Sequence, residues 1–195
     1  MGLRRSPLGA TSGQPVVVAR GGDVEIAERP FLAQILLRVD PDPAAIAAVE
    51  GGTGLRLPTD PNRLVASPQT GRLAISLAPD EWLVVGREDS STLEGTLAAA
   101  VAPRGGAVVD VSAQRTLLEL TGSGARDLLA AGCSVDLHPR TFLVGAAAQT
   151  TLARVDVIIG RGGVDTYHVA VRASFARYLV AWLTGALREL EGGAA

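Results

Sequence analysis

The 195-residue chain contains no lysine, so all 18 of its cationic residues are arginine. A Walker-type phosphate loop needs a lysine on the terminal phosphates, and Schiff-base chemistry needs an amine whose pKa can be tuned. Both are excluded, and pyridoxal-phosphate chemistry with them. Cys133 is the single cysteine, which rules out an intrachain disulfide and any multi-cysteine zinc or iron–sulfur site. His138 and His168 are the only histidines and stand thirty positions apart, which excludes a His-Glu-x-x-His zinc site, whose two histidines must lie four apart. Charge is also sparse: 19% of residues are charged, the net charge is -2 and no block of one sign occurs. Nothing in that balance points to nucleic acid or to a polybasic membrane surface. The apolar runs, such as Leu97 to Val101 and Val155 to Ile159, fall far short of the ~20 residues that span a bilayer. No signal peptide is expected, because Pro7, Gly9, Gly13 and Pro15 break up the N-terminal stretch. A reducing, cytoplasmic location is expected.

Hydrophobic residues make up 47% of the chain, enough to build a core at this length. Residues 1–22 read as a flexible N-terminal arm, rich in Gly, Pro and Ser, and residues 23–195 as one domain. Alternation predicts a strand from Phe31 to Val39, and a short helix over about 43–50 meets Gly51-Gly52. Arg72–Leu77 and Glu81–Val85 flank Ala78-Pro-Asp80 as a hairpin. A helix over about 91–101 precedes strands at 107–111 and 115–120. Ser123 is placed to cap a helix through Ala131 that Gly132 stops. Strands over about 149–159 and 165–171, with a turn at Gly160–Gly163, lead to a C-terminal helix. Its apolar residues Phe175, Tyr178, Leu179, Trp182, Leu183, Ala186, Leu187 and Leu190 recur at helical spacing, with Ser174 as its N-cap. Irregular interleaving of strands and helices predicts an α+β fold.

Candidate chemistry is thin. Cys133 and His138 stand five apart, which admits a Cys–His nucleophile, although a lone cysteine after a helix is more often a small buried hydrophobe. His168 lies in an alternating apolar strand and reads as structural. Gly122-Ser-Gly124 follows a strand, but Asp127 occupies the last glycine position of a dinucleotide fingerprint, so the fingerprint fails. Trp82 and Trp182 sit at core periodicity. What remains is a polar junction of Asp110, Ser112, Gln114 and Arg115. It is either a ligand or partner site, with Arg115 as a bidentate fork, or a set of turn-stabilising hydrogen bonds.

Several segments resemble the gamma-subunit family of sarcosine oxidases. They are Ala78–Leu83, Asp110–Thr116, Gly122 with Ala125–Leu128, Gly132–Phe142, Ala148-Gln-Thr150, Leu152-Ala-Arg154, and Val171–Phe175 continuing through Tyr178 and Trp182. The likeness covers roughly residues 25–190. The stretch from Asp110 to Leu129 resembles more distantly the folate-binding domain of the glycine-cleavage T-protein, with Ala113 at that family's histidine position.

The resemblance implies a folate-binding-domain-like architecture and a non-catalytic structural subunit. The complex it implies oxidises sarcosine to glycine and hydrogen peroxide and passes a one-carbon unit to tetrahydrofolate. FAD, FMN, NAD, tetrahydrofolate and zinc are then expected in partner subunits: the flavins in beta and at its border with alpha, NAD and folate in alpha, zinc in delta. Alpha is expected as the chief partner, with beta and delta completing the tetramer. Asp110, Ser112, Arg115 and Arg140 are the candidate partner or ligand contacts, with no catalytic, cofactor or metal residue expected in this chain. The competing reading is a stand-alone folate-binding, aminomethyltransferase-like protein.

Overall fold

A computed structural model describes residues 4–192. Eleven strands and four α-helices form among them, in chain order β1 Val16–Gly21, β2 Val24–Arg29, β3 Ala33–Arg38, α1 Pro43–Thr53, β4 Leu64–Ala66, β5 Leu73–Ala78, β6 Glu81–Gly86 and α2 Ser90–Val101. Then follow β7 Ala107–Asp110, β8 Arg115–Thr121, α3 Ala125–Ala130, β9 Ala147–Leu152, β10 Val155–Gly163, β11 Thr166–Arg172 and α4 Ala176–Gly192. The class is α+β, as the interleaving predicts.

The chain divides into two compact units where one domain over 23–195 is expected from composition. Among the described residues, one comprises 4–31, Ala113–Val144 and 148–192; the other comprises Leu32–Ser112 and Gly145–Ala147. The physical reason is that the inserted unit closes its own core, with no linker of distinctive composition to announce it.

The inserted unit carries a five-stranded sheet ordered β4-β5-β6-β3-β7, and the β3/β6, β3/β7, β4/β5 and β5/β6 pairs are antiparallel. Taken without β4, the path β3-α1-β5-β6-α2-β7 is a split βαβ arrangement of the ferredoxin-like kind. Its core joins Ile35, Leu37, Trp82 and Val84 to Val49 of α1 and Leu93, Leu97 and Val101 of α2. Asp42 caps α1, accepting from the Ala44 and Ala45 amides at 2.8 and 2.9 Å. The helix runs through Gly51-Gly52 and ends at Gly54, whose φ of 63° supplies the left-handed stop that two glycines inside the helix do not.

The other unit carries a six-stranded sheet ordered β1-β2-β8-β11-β10-β9. The β8 strand lies between β2 and β11, antiparallel to both. Within the stretch expected to be a loose arm, Val16–Gly21 pairs with β2 as an edge strand, and Ser6 is buried. Residues 1–3 of that arm lie outside the described residues. The short helix α3 starts after Gly124 without a side-chain cap, because the Ser123 hydroxyl bonds to Asp23 instead. Gly160–Gly163 is not a turn: β10 continues through Gly163, with an irregular register between Arg161 and Gly163, and the reversal comes at Val164-Asp165.

The α4 helix buries Ala176, Leu179, Leu183 and Leu187 and packs against α3 and β1. This stripe is narrower than the periodicity suggests. Phe175 belongs to a preceding 3-10 turn, Ala173–Phe175, which also takes Ser174 out of the capping position. Phe175, Tyr178 and Leu190 are exposed, and Trp182 is partly buried.

Candidate functional site

Arg115 opens β8 and Arg172 closes β11, and the antiparallel register sets them directly opposite one another. Cross-strand partners share a face of the sheet, so the two guanidinium groups are neighbours by construction. A depression of about 380 Å³ opens beside them, lined also by Gln149, Thr150, Thr151 and Asp156 from β9 and β10. Val157 and Ile158, both buried, complete its lining. Burial first, and the Arg172 charge second, push Arg115 below the usual arginine range. Arginine still keeps its proton at neutral pH, so the site holds two adjacent cations. The Arg115 guanidinium is steadied by donation to the side-chain oxygen of Gln114.

Asp110 and Ser112 fall in the inserted unit, whereas Arg115 and Arg140 fall in the other. The first two form a local motif. Asp110 accepts from the Ser112 amide at 2.8 Å and from the Ser112 hydroxyl, and Ser112 Oγ accepts from the Gln34 amide at 2.9 Å. These bonds fasten the end of β7 onto β3. Arg140 is exposed and lies in the turn after His138, where its amide donates to His138 Nδ1 at 3.2 Å. That bond occupies the ring nitrogen in a turn also held by Asp136, whose Oδ1 accepts from the His138 amide. Donation from that amide holds Asp136 below the usual carboxylate range. His138 is thus engaged locally, while Cys133, a free cysteine, bridges to Leu152 through its backbone.

His168 is a largely buried strand residue facing Glu119. Trp82 is fully buried with its indole N–H donating to the Pro58 carbonyl at 2.8 Å. Among the described residues, no group of three His, Cys, Asp or Glu side chains is arranged to hold a metal ion, and no helix is long and apolar enough to cross a membrane.

Sequence reasoning reached Arg115 but missed Arg172, Gln149, Thr150 and Asp156 as its neighbours. A signal was present. Arg115, the Gln149-Thr150 pair and Arg172 each fall in one of the short segments that carry the family resemblance, and the sheet brings those segments to one place.

At the level of architecture the chain is similar to the glycine cleavage system aminomethyltransferase T from Bartonella henselae, with a TM-score of 0.60 at 19% identity. That likeness spans 85% of this chain and 46% of that one and defines the class, an aminomethyltransferase-like α+β fold. The family is narrower: the chain belongs to the sarcosine oxidase, gamma subunit family, whose model matches residues 38–189. It is 37% identical to the sarcosine oxidase subunit gamma of Arthrobacter sp over 96% of this chain and 91% of that relative. The subunit gamma of Corynebacterium sp. strain U-96 is 36% identical over the same shares. In the solved heterotetrameric sarcosine oxidase from Corynebacterium sp. U-96, in complex with pyrrole 2-carboxylate, a chain matches with a TM-score of 0.82 and 34% identity, covering 97% of both.

Proposed function

We propose that this chain is the gamma subunit of a heterotetrameric sarcosine oxidase and acts by building the complex rather than by supplying its reaction centre. The observation that carries this is the near end-to-end likeness to one chain of the Corynebacterium heterotetramer, 97% of each. The residue inventory agrees with it: lysine is absent, the dinucleotide fingerprint fails and His138 is engaged in its own turn. The complex oxidises sarcosine to glycine and hydrogen peroxide, with the one-carbon unit passed to tetrahydrofolate. FAD, FMN, NAD, tetrahydrofolate and zinc belong to the other subunits. Alpha is the chief partner, beta and delta complete the assembly, and the complex works in the cytoplasm. Exposed Arg140, together with Asp110, Ser112 and Arg115, are the partner or ligand contacts of this reading.

Purification of the full chain alone tests it. The expected product is colourless and forms no peroxide from sarcosine, whereas co-expression with the other three subunits incorporates the chain stoichiometrically. Arg140→Ala is expected to lower sarcosine-dependent peroxide formation only as far as it lowers incorporation, because a group outside the reaction centre makes no contact that strengthens in the transition state. A stoichiometric flavin spectrum from the single chain, or full assembly with collapsed turnover, would overturn the reading. Tight tetrahydrofolate binding by the isolated chain would favour the stand-alone transferase instead.

A further inference from the structure

We propose that the depression bounded by Arg115 and Arg172 is a binding site for a carboxylate group, carried by a small dicarboxylate or by an acidic side chain of another subunit. The first support is the charge arrangement. Like charges directly opposite one another on a sheet are unfavourable, yet the β8/β11 register holds Arg115 and Arg172 in that relation. Arg172 forms no salt bridge with a described carboxylate, and Asp156 lines the same depression. Burial and the Arg172 charge both disfavour the charged form of Arg115, and an anion seated between the two groups offsets the repulsion with an opposite charge.

Shape and chemistry narrow the class of anion. Two guanidinium groups present flat donor forks that match the two oxygens of a carboxylate. The Thr150 and Thr151 hydroxyls and the Gln149 amide add neutral hydrogen-bonding groups. A dicarboxylate divides its two charges between separate groups, so only one need face the arginines beside Asp156, whereas phosphate brings its whole charge to one centre. A volume of about 380 Å³ is at the small end of ligand pockets. The lining lies within one unit of the chain, so the inference stands whether or not the assembly reading does.

Calorimetric titration of the purified full chain decides it, with glutarate as the probe, neutral glutaramide as the control and inorganic phosphate as the competing anion. Saturable glutarate binding is expected, with no response to glutaramide and weaker binding of phosphate. Arg172→Gln, at an exposed strand end, is expected to weaken glutarate binding about tenfold or more, as loss of a charged hydrogen bond does. Arg172→Lys keeps the charge without the fork and is expected to fall between. No saturable glutarate binding by the folded chain, an equal response to glutaramide, tighter phosphate binding, or an unchanged affinity in Arg172→Gln would each overturn the proposal. Repeating the titration on the assembled complex identifies the source. Retained binding marks a free carboxylate, and binding that competes with assembly marks an acidic side chain of a partner.

Discussion

His168 on β11 is the cross-strand partner of Glu119 on β8, with its Nδ1 3.7 Å from the Glu119 carboxylate, which also pairs with Arg29 on β2 at 3.1 Å. Burial is the largest influence on the imidazole and pushes its pKa below the ordinary 6.5; Glu119 opposes this and Arg29 adds to it. The folded state therefore prefers neutral His168. As pH falls below about 6.5, the unfolded chain takes up a proton that the folded chain resists, so stability falls until the lowered native pKa is passed. Urea midpoints at pH 7.5 and 5.5 are expected to show this loss, and His168→Asn is expected to flatten it. An identical pH slope in the variant would remove His168 as the cause.

The single buried bond of Trp82 allows its packing and its polar contact to be separated. Trp82→Ala is expected to cost about 3–5 kcal/mol, as large-to-small changes of a fully buried aromatic do. Trp82→Phe keeps most of the ring and strips the Pro58 carbonyl of its donor, with an expected loss of about 1–3 kcal/mol. Chemical denaturation measures both. Equal losses would mean that the hydrogen bond, not the ring, governs the site.

Trp182 behaves differently because it is only partly buried, with its ring against Gly132. A Cβ added at Gly132 would collide with that ring. Gly132→Ala is expected to destabilise through displacement of Trp182, and Trp182→Ala to cost less than Trp82→Ala. The informative quantity is the double variant. If the two positions are coupled through this contact, the combined loss is smaller than the sum of the single losses by about 0.5–3 kcal/mol. Simple additivity would place the cost of Gly132→Ala in the backbone.

What the sequence made legible were features with local causes. The β5/β6 hairpin, α2 and α4 emerge from alternation, helical spacing and turn residues, and the family likeness comes from short motifs spread along most of the chain. Long-range closure was not legible. The pairing of β1 with β2 gives a home to a Gly- and Pro-rich segment that its composition leaves loose. The β8/β11 register brings Arg115 and Arg172 together although 57 positions separate their numbers. Their meeting is a property of the ladder and not of either segment. Phe175 and Tyr178 carry the converse lesson: they continue an apolar period, but the first lies in a 3-10 turn and the second extends its hydroxyl to the Ala153 carbonyl at 2.9 Å.

Glu28 provides the last test, because its fully buried carboxyl links the N-terminal segment to the sheet. It accepts from the Ser6 hydroxyl at 2.6 Å and from the Thr116 hydroxyl at 2.9 Å. Ser6 Oγ in turn accepts from the Ala10 amide at 2.8 Å, and the Pro7 carbonyl accepts from Arg177 on α4 at 3.1 Å. Two consequences separate by position. Thr116 sits in β8, flanked by β2 and β11, so Thr116→Val leaves a buried oxygen without its donor inside the sheet and is expected to lower global stability by about 1–3 kcal/mol. Ser6→Ala removes a donor at the edge, where the Arg177 contact and the β1/β2 pairing persist, so its effect should be local. Hydrogen exchange reads the difference: Ser6→Ala is expected to speed exchange at the Ala10 amide while leaving Leu118 in β8 protected, whereas Thr116→Val speeds exchange at both. Equal loss of protection at Leu118 in the two variants would show that the N-terminal segment and the sheet open as one cooperative unit, and that the Ser6–Glu28 bond belongs to the core.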